Sequence, residues 1–307
     1  MDPTVLFIVD CPGWAHDAKT KCLQRELSGR FRIETRYNAQ VTAEDIRQSD
    51  LVVVYYWLQL HDLRHVEHAL RTKDGRLLMG ICGPAEIEGD RREPGMDTIR
   101  RLASAVFLNN LQTYRDFQGA FDCPLYYTPN GVDTRFYTPG PPRSGSGDLI
   151  VGWAGSLINH GPGLRGFRDV IVPAIEATPG SRLTAAIREV TWRNATQMRD
   201  FYHSLDVYVC ASRSEGTPNP CLEAAACGLP LITTRVGNMP ELVEDGVNGF
   251  LIDRTAEALA ESLRLLRDQH GLSGKMGRAM RAEIQKWDWS RQSRNYERMF
   301  DEVLARL

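Results

Sequence analysis

The sequence predicts an α/β fold built as two doubly wound, parallel-sheet domains. Three features predict it. Short apolar runs alternate with helix-spaced amphipathic segments along the whole chain. Most of these runs are continuous rather than period-two, as strands covered on both faces of a parallel sheet require. A stretch rich in Pro, Gly and Ser, from Tyr137 to Asp148, splits the alternation into two blocks.

In the first block the strand candidates are "VLFIVDC" at Val5, "RIETRY" at Arg32, "DLVVVYYW" at Asp50, "LLMGIC" at Leu77, "AVFLN" at Ala105 and "LYYTP" at Leu125. Segments such as "KTKCLQREL" and "LRHVEHALR" lie between them, with apolar residues three and four apart. In the second block "LIVGWAG", "RLTAAI", "DVYVCAS", "LPLITT" and "GFLI" are each followed by a loop and a helical stretch. Alternation on this scale means parallel sheets with crossover helices. The chain closes in helices from about Ala256, ending "KWDWSRQSRNYERMFDEVLARL". The expected domains are residues 1–140, completed by a C-terminal helix at about 288–307, and residues 147–287.

Bulk properties narrow the function. A net charge of −2 argues against a dedicated nucleic-acid binder. The basic cluster of Lys275, Arg278, Arg281, Lys286, Arg291, Arg294 and Arg298 reads as solvated helix faces, with weak attachment to an anionic membrane surface as the sharper alternative. The seven cysteines are odd in number and form no C-x-x-C pair, so neither a zinc site nor a disulfide framework is expected. A reducing cytoplasm fits them. No signal peptide or membrane span is read in the sequence.

Ligands of open parallel sheets bind beyond the carboxyl ends of the strands, against helix N-termini. The loop after "DVYVCAS" reads "RSEGTPNPCLEAAACGLP". Asn219 is a good N-cap, Pro220 a good first helical residue, and Gly228 a stop. The free N–H groups and positive dipole end of this helix suit a phosphate. Glu215 and Glu223 flank its start, and carboxylates accept hydrogen bonds from sugar diols. The plain alternative is that Glu223 complements the helix dipole and Glu215 is a solvated acid.

The run "SRSEGTPNPCLEAAACGLPLITTRVGNMPELVEDGVNGFLID" closely resembles the donor-binding region of family 4 glycosyltransferases, which are retaining, nucleotide-sugar-dependent enzymes of the GT-B fold. The family's E-x7-E pattern falls on Glu215 and Glu223, and its later motif on Gly237, Glu241, Gly246, Asn248 and Gly249. "TPNGVDTRFYTP" and "WDWS" also resemble family segments, and the first domain is shorter than usual. The resemblance implies two Rossmann-like domains facing across a cleft, with the last helix crossing back to the first. It implies that Glu223 binds ribose and Glu215 the hydroxyls of the transferred sugar. The backbone at Gly216, Thr217 and Asn219 would hold sugar and phosphates, with Pro218 in the same turn offering no N–H. It implies a hydroxyl acceptor held by the first domain and no metal or other cofactor beyond the nucleotide sugar.

Two departures bear on catalysis. The family ends the first strand of its second domain in Gly-Arg; here Gly155 is followed by Ser156. Arg165 is the expected diphosphate contact instead, with Arg188 as a second cation. The family's first-domain His is also missing from "LLMGICGPAEIEG"; His16 in "CPGWAHD" is the preferred replacement and His61 the other. Trp14 and Tyr55–Trp57 offer either an acceptor platform or core packing. Two rival readings stand beside this one. Gly161, Gly163 and Gly166 with Glu189 mimic a dinucleotide fingerprint, although "SLINH" separates them from the strand. A non-catalytic sugar-nucleotide-binding subunit would also tolerate the missing Arg and His.

Overall fold

In the computed structural model the described residues are 2–73, 75–141, 147–158 and 163–306. They divide into two compact units, Met1–Gly131 with Trp289–Leu307, and Val132–Asp288.

The first unit carries β1 (Thr4–Val9), β2 (Arg32–Tyr37), β3 (Leu51–Val54), β4 (Leu77–Ile81), β5 (Ala105–Leu108) and β6 (Leu125–Tyr127). They form one parallel sheet in the order β2-β1-β3-β4-β5-β6. The continuous apolar runs are explained by burial on both faces. Leu6 and Ile8 of β1 enter one core layer, while Val5, Phe7 and Val9 enter the other. "RIETRY" is the polar exception because β2 is the sheet edge. The last helix, Trp289–Leu304, covers one face with Tyr296, Met299, Phe300 and Val303.

The second unit carries β7 (Leu149–Gly155), β8 (Ser181–Ile187), β9 (Val207–Cys210), β10 (Leu231–Thr234) and β11 (Gly249–Ile252). Its sheet is parallel in the order β11-β10-β9-β7-β8. The unit begins at Val132 because that residue bridges to Asp288 and its N–H donates to the Trp287 carbonyl at 2.9 Å. Tyr137 is buried beside Tyr202 at 6.1 Å between ring centres. Of the Pro/Gly/Ser stretch, residues 142–146 lie outside the described residues.

Both sheets reverse direction around their first strand. The chain passes from β1 to β2 on one side and to β3 on the other, and likewise from β7 to β8 and β9. Such reversal leaves a crevice beyond the carboxyl ends of the two central strands, where ligands of this architecture bind. In the first unit that point lies between the loops after β1 and β3. In the second it lies between the loops after β7 and β9. Among the described residues no helix is long and apolar enough to cross a membrane.

Candidate functional site

The loops after β7 and β9 are held against each other by backbone. Gly166 has φ +71°, and a Cβ there would stand 2.2 Å from the Ala211 carbonyl oxygen. Only glycine tolerates both the left-handed conformation and that approach. The Arg213 N–H donates to the Leu164 carbonyl at 2.8 Å. These contacts bring Arg165, from one loop, onto Glu215, from the other, in a direct ion pair. The Ser212 hydroxyl donates to the same carboxylate oxygen at 2.8 Å. Two buried polar atoms here have no hydrogen-bond partner among the described residues: Arg165 Nε and Thr217 Oγ1. Unpartnered buried polar groups are costly, which makes each of these a candidate contact for a polar ligand.

The helix Asn219–Ala226 follows directly. Its N-cap is Pro218, one residue earlier than the Asn219 cap expected, and no side chain caps it. Asn219 has already entered the helix, whose first turn follows directly on Gly216 and Thr217. Gly228, at φ +81°, follows the helix end as expected. Glu223 lies one turn in, where the Tyr202 hydroxyl donates to it at 2.7 Å and Tyr137 also hydrogen-bonds it. Desolvation of the carboxyl pushes its pKa up to about 7 against those two bonds. From behind, Gly237 at φ +52° presses on the loop; a Cβ there would meet the Gly216 carbonyl oxygen at 2.3 Å.

Ser156 is buried directly after β7 and its hydroxyl donates to Glu189, whose other oxygen accepts from the Leu157 N–H at 3.1 Å. The hydrogen bond from Ser156 is the main cause that lowers the Glu189 pKa. A hydroxyl–carboxylate pair therefore stands where the family has an arginine. Arg188 is exposed and its charge also lowers the Glu189 pKa, while its N–H extends the sheet to the Gly155 carbonyl at 3.0 Å. Gly163 and Gly166 form the turn ahead of Phe167; Gly161 lies outside the described residues.

In the first unit, His16 stands at the start of the helix Ala15–Leu27, beyond β1. Its ring stacks on Tyr55 with centres 4.3 Å apart, and its Nδ1 is 3.3 Å from Asp10 Oδ1. The contacts to His16 and the Cys11 N–H outweigh burial and lower the Asp10 pKa. Tyr55 and Trp57 are core residues, Trp14 is exposed, and His61 is exposed against the edge of Trp57. Beyond β4, burial pushes Glu86 up to about 8. Asp10 and Tyr202 escape sequence reasoning, and Glu189 is read there only as the acid of a dinucleotide fingerprint, because nothing local ties them to partners in other segments. Asp10 alone had a signal, as an acid ending a buried strand.

Residues 165–269 match the family model of glycosyl transferases group 1. The D-inositol 3-phosphate glycosyltransferase of Arthrobacter sp. strain FB24 is 38% identical, over 91% of this chain and 80% of the relative. That of Acidothermus cellulolyticus is 26% identical, over 82% and 67%. The crystal structure of Anabaena HepE in complex with UDP and glucose superposes with a TM-score of 0.76 at 16% identity, covering 98% of this chain and 100% of that one. Sucrose-phosphate synthase from Thermosynechococcus elongatus gives 0.76 at 13% identity, with both chains fully covered. At such identities the structural likeness speaks to the fold.

Proposed function

Since this chain belongs to the group 1 glycosyltransferases and has their GT-B fold, we propose that it moves a sugar from a nucleoside-diphosphate sugar to a hydroxyl acceptor with retention of anomeric configuration. Membership sets aside the dinucleotide and non-catalytic readings. The observation that carries the proposal is the Arg165–Glu215 pair beyond β7 and β9, in which Arg165 Nε and the nearby Thr217 Oγ1 have no partner among the described residues.

The roles are those the family resemblance implies. Glu215 accepts hydrogen bonds from the hydroxyls of the transferred sugar. Glu223 accepts from the ribose diol. The N–H groups of Gly216, Thr217 and Asn219 meet sugar and phosphates at the helix start. Arg165 spends one terminal nitrogen on Glu215, and the guanidinium as a whole supplies the positive charge for a diphosphate oxygen. Charge on the departing diphosphate is thereby met by protein groups, without a metal ion. The leaving oxygen then draws the proton from the incoming hydroxyl on the same face. His16, held by Asp10 and Tyr55, takes the place of the family's first-domain catalytic His.

The test is a panel of nucleoside-diphosphate sugars against hydroxyl acceptors, with EDTA present, read by release of nucleoside diphosphate. D-inositol 3-phosphate heads the acceptors because the relatives are named for it. No release with any pair would sink the transferase proposal for this chain, and an inverted anomeric proton signal in the product would sink retention.

A further inference from the structure

Arg254 follows β11, next to Thr255, whose hydroxyl caps the helix Ala256–Asp268. Its guanidinium reaches away from that helix into the turn that precedes Arg165. Nε donates to the Ala211 carbonyl at 3.0 Å, and one Nη donates to Asp169 Oδ2 at 2.8 Å and to the Gly163 carbonyl. Acceptors from two separate segments, residues 163–169 and Ala211, thus meet on one side chain that is mostly buried. Gly163 lies two residues before Arg165, and Ala211 lies four before Glu215. The Ala211 carbonyl also receives the close approach of Gly166, so Arg254 fastens the contact that juxtaposes the two loops.

We infer that Arg254 is a positioning residue for diphosphate binding: it fixes the Gly163–Gly166 turn on the end of β9 and so aims Arg165. The inference rests on the donor reading above. A planar fork with several fixed donors is needed to serve three acceptors in different directions, and lysine has no such geometry. Asp169 orients the fork but touches no proposed ligand atom, so its own loss should act in the same direction and more weakly.

Affinities for UDP and UMP, measured on the full chain by calorimetry, separate aiming from general loosening. The two ligands share base and ribose and differ by the phosphate that Arg165 would hold. In Arg254→Ala the UDP affinity is expected to fall about tenfold or more while UMP stays within about twofold. Arg254→Lys, which keeps the charge, is expected to fall between wild type and Arg254→Ala for UDP and serves if Arg254→Ala does not fold. An equal loss for both nucleotides, or an unchanged ratio in either variant, overturns the inference. If the wild-type chain prefers no nucleoside diphosphate over its monophosphate, whatever the base, the donor reading fails and this inference with it; if another base is preferred, the same comparison is made with that pair.

Discussion

At the scale of single residues, the site is a set of polar groups held in costly states. Arg165 is partly buried, with one nitrogen on Glu215 and Nε unpartnered among the described residues. Arg165→Ala removes the proposed diphosphate donor and leaves Glu215 with Ser212 alone. Nucleoside-diphosphate affinity should fall by about 1.5–3 kcal/mol, as for hydrogen bonds to charged groups. An unchanged dissociation constant would remove Arg165 from the donor site. Glu223 makes a prediction in pH. Its carboxyl sits at about 7 in the fold against an ordinary 4.5, so the folded state holds the proton more tightly than the unfolded one. Ionising it costs stability, a cost absent below the unfolded value and complete above about 7. Ribose recognition needs the ionised form, which accepts two hydroxyls. Affinity for a nucleotide sugar, whose diphosphate does not titrate in this range, should therefore rise from about pH 6 to about pH 8. The rise should vanish in Glu223→Gln; a rise of the same size there would refute the assignment.

At the scale of elements, the loops owe their positions to glycines with distinct tasks. Gly237 and Gly246 both have positive φ, yet a Cβ at Gly237 would strike the Gly216 carbonyl, whereas one at Gly246 would meet nothing within 4 Å. Gly246→Ala should cost about 1–2 kcal/mol of stability, the backbone penalty alone, and leave nucleotide affinity intact. Gly237→Ala should cost more and also weaken nucleotide binding, because relief of the clash moves Gly216. Equal nucleotide affinities in the two variants would show that Gly237 does not support the donor loop. The same elements show what is legible in a sequence. Each apolar run that reads as a strand is one, since burial on both faces writes itself into consecutive residues. The Ser214–Glu223 loop is legible because cap, proline and acids are neighbours in the chain. The fastening of that loop is not. Arg254 meets Asp169 across 85 positions, Ser156 meets Glu189 across 33, and Tyr202 meets Glu223 from the preceding helix. Pairings of that kind depend on strand order, which no local pattern encodes.

At the scale of the whole molecule, the last helix shows how a distant segment completes a unit. Trp289, Tyr296, Met299, Phe300 and Val303 pack among Val5, Phe7, Leu51 and Val53, residues that precede them by most of the chain. Phe300 is fully buried, edge-on to Phe7 at 6.1 Å and to Phe31 at 5.3 Å between ring centres. Phe300→Ala opens a cavity in that layer and should cost about 3–5 kcal/mol. Because its packing partners belong to the first unit, the loss should fall there. Hydrogen exchange read by mass spectrometry should show faster exchange in peptides from β1, β3 and β5, and little change in residues 207–226. Those latter residues should still slow their exchange when UDP is added, since a ligand that binds only the folded state stabilises what it touches. Equal loss of protection in β9 and β10 would mean that the helix supports the second unit as well. Loss of the UDP effect in this variant would mean that donor binding depends on the first unit being intact.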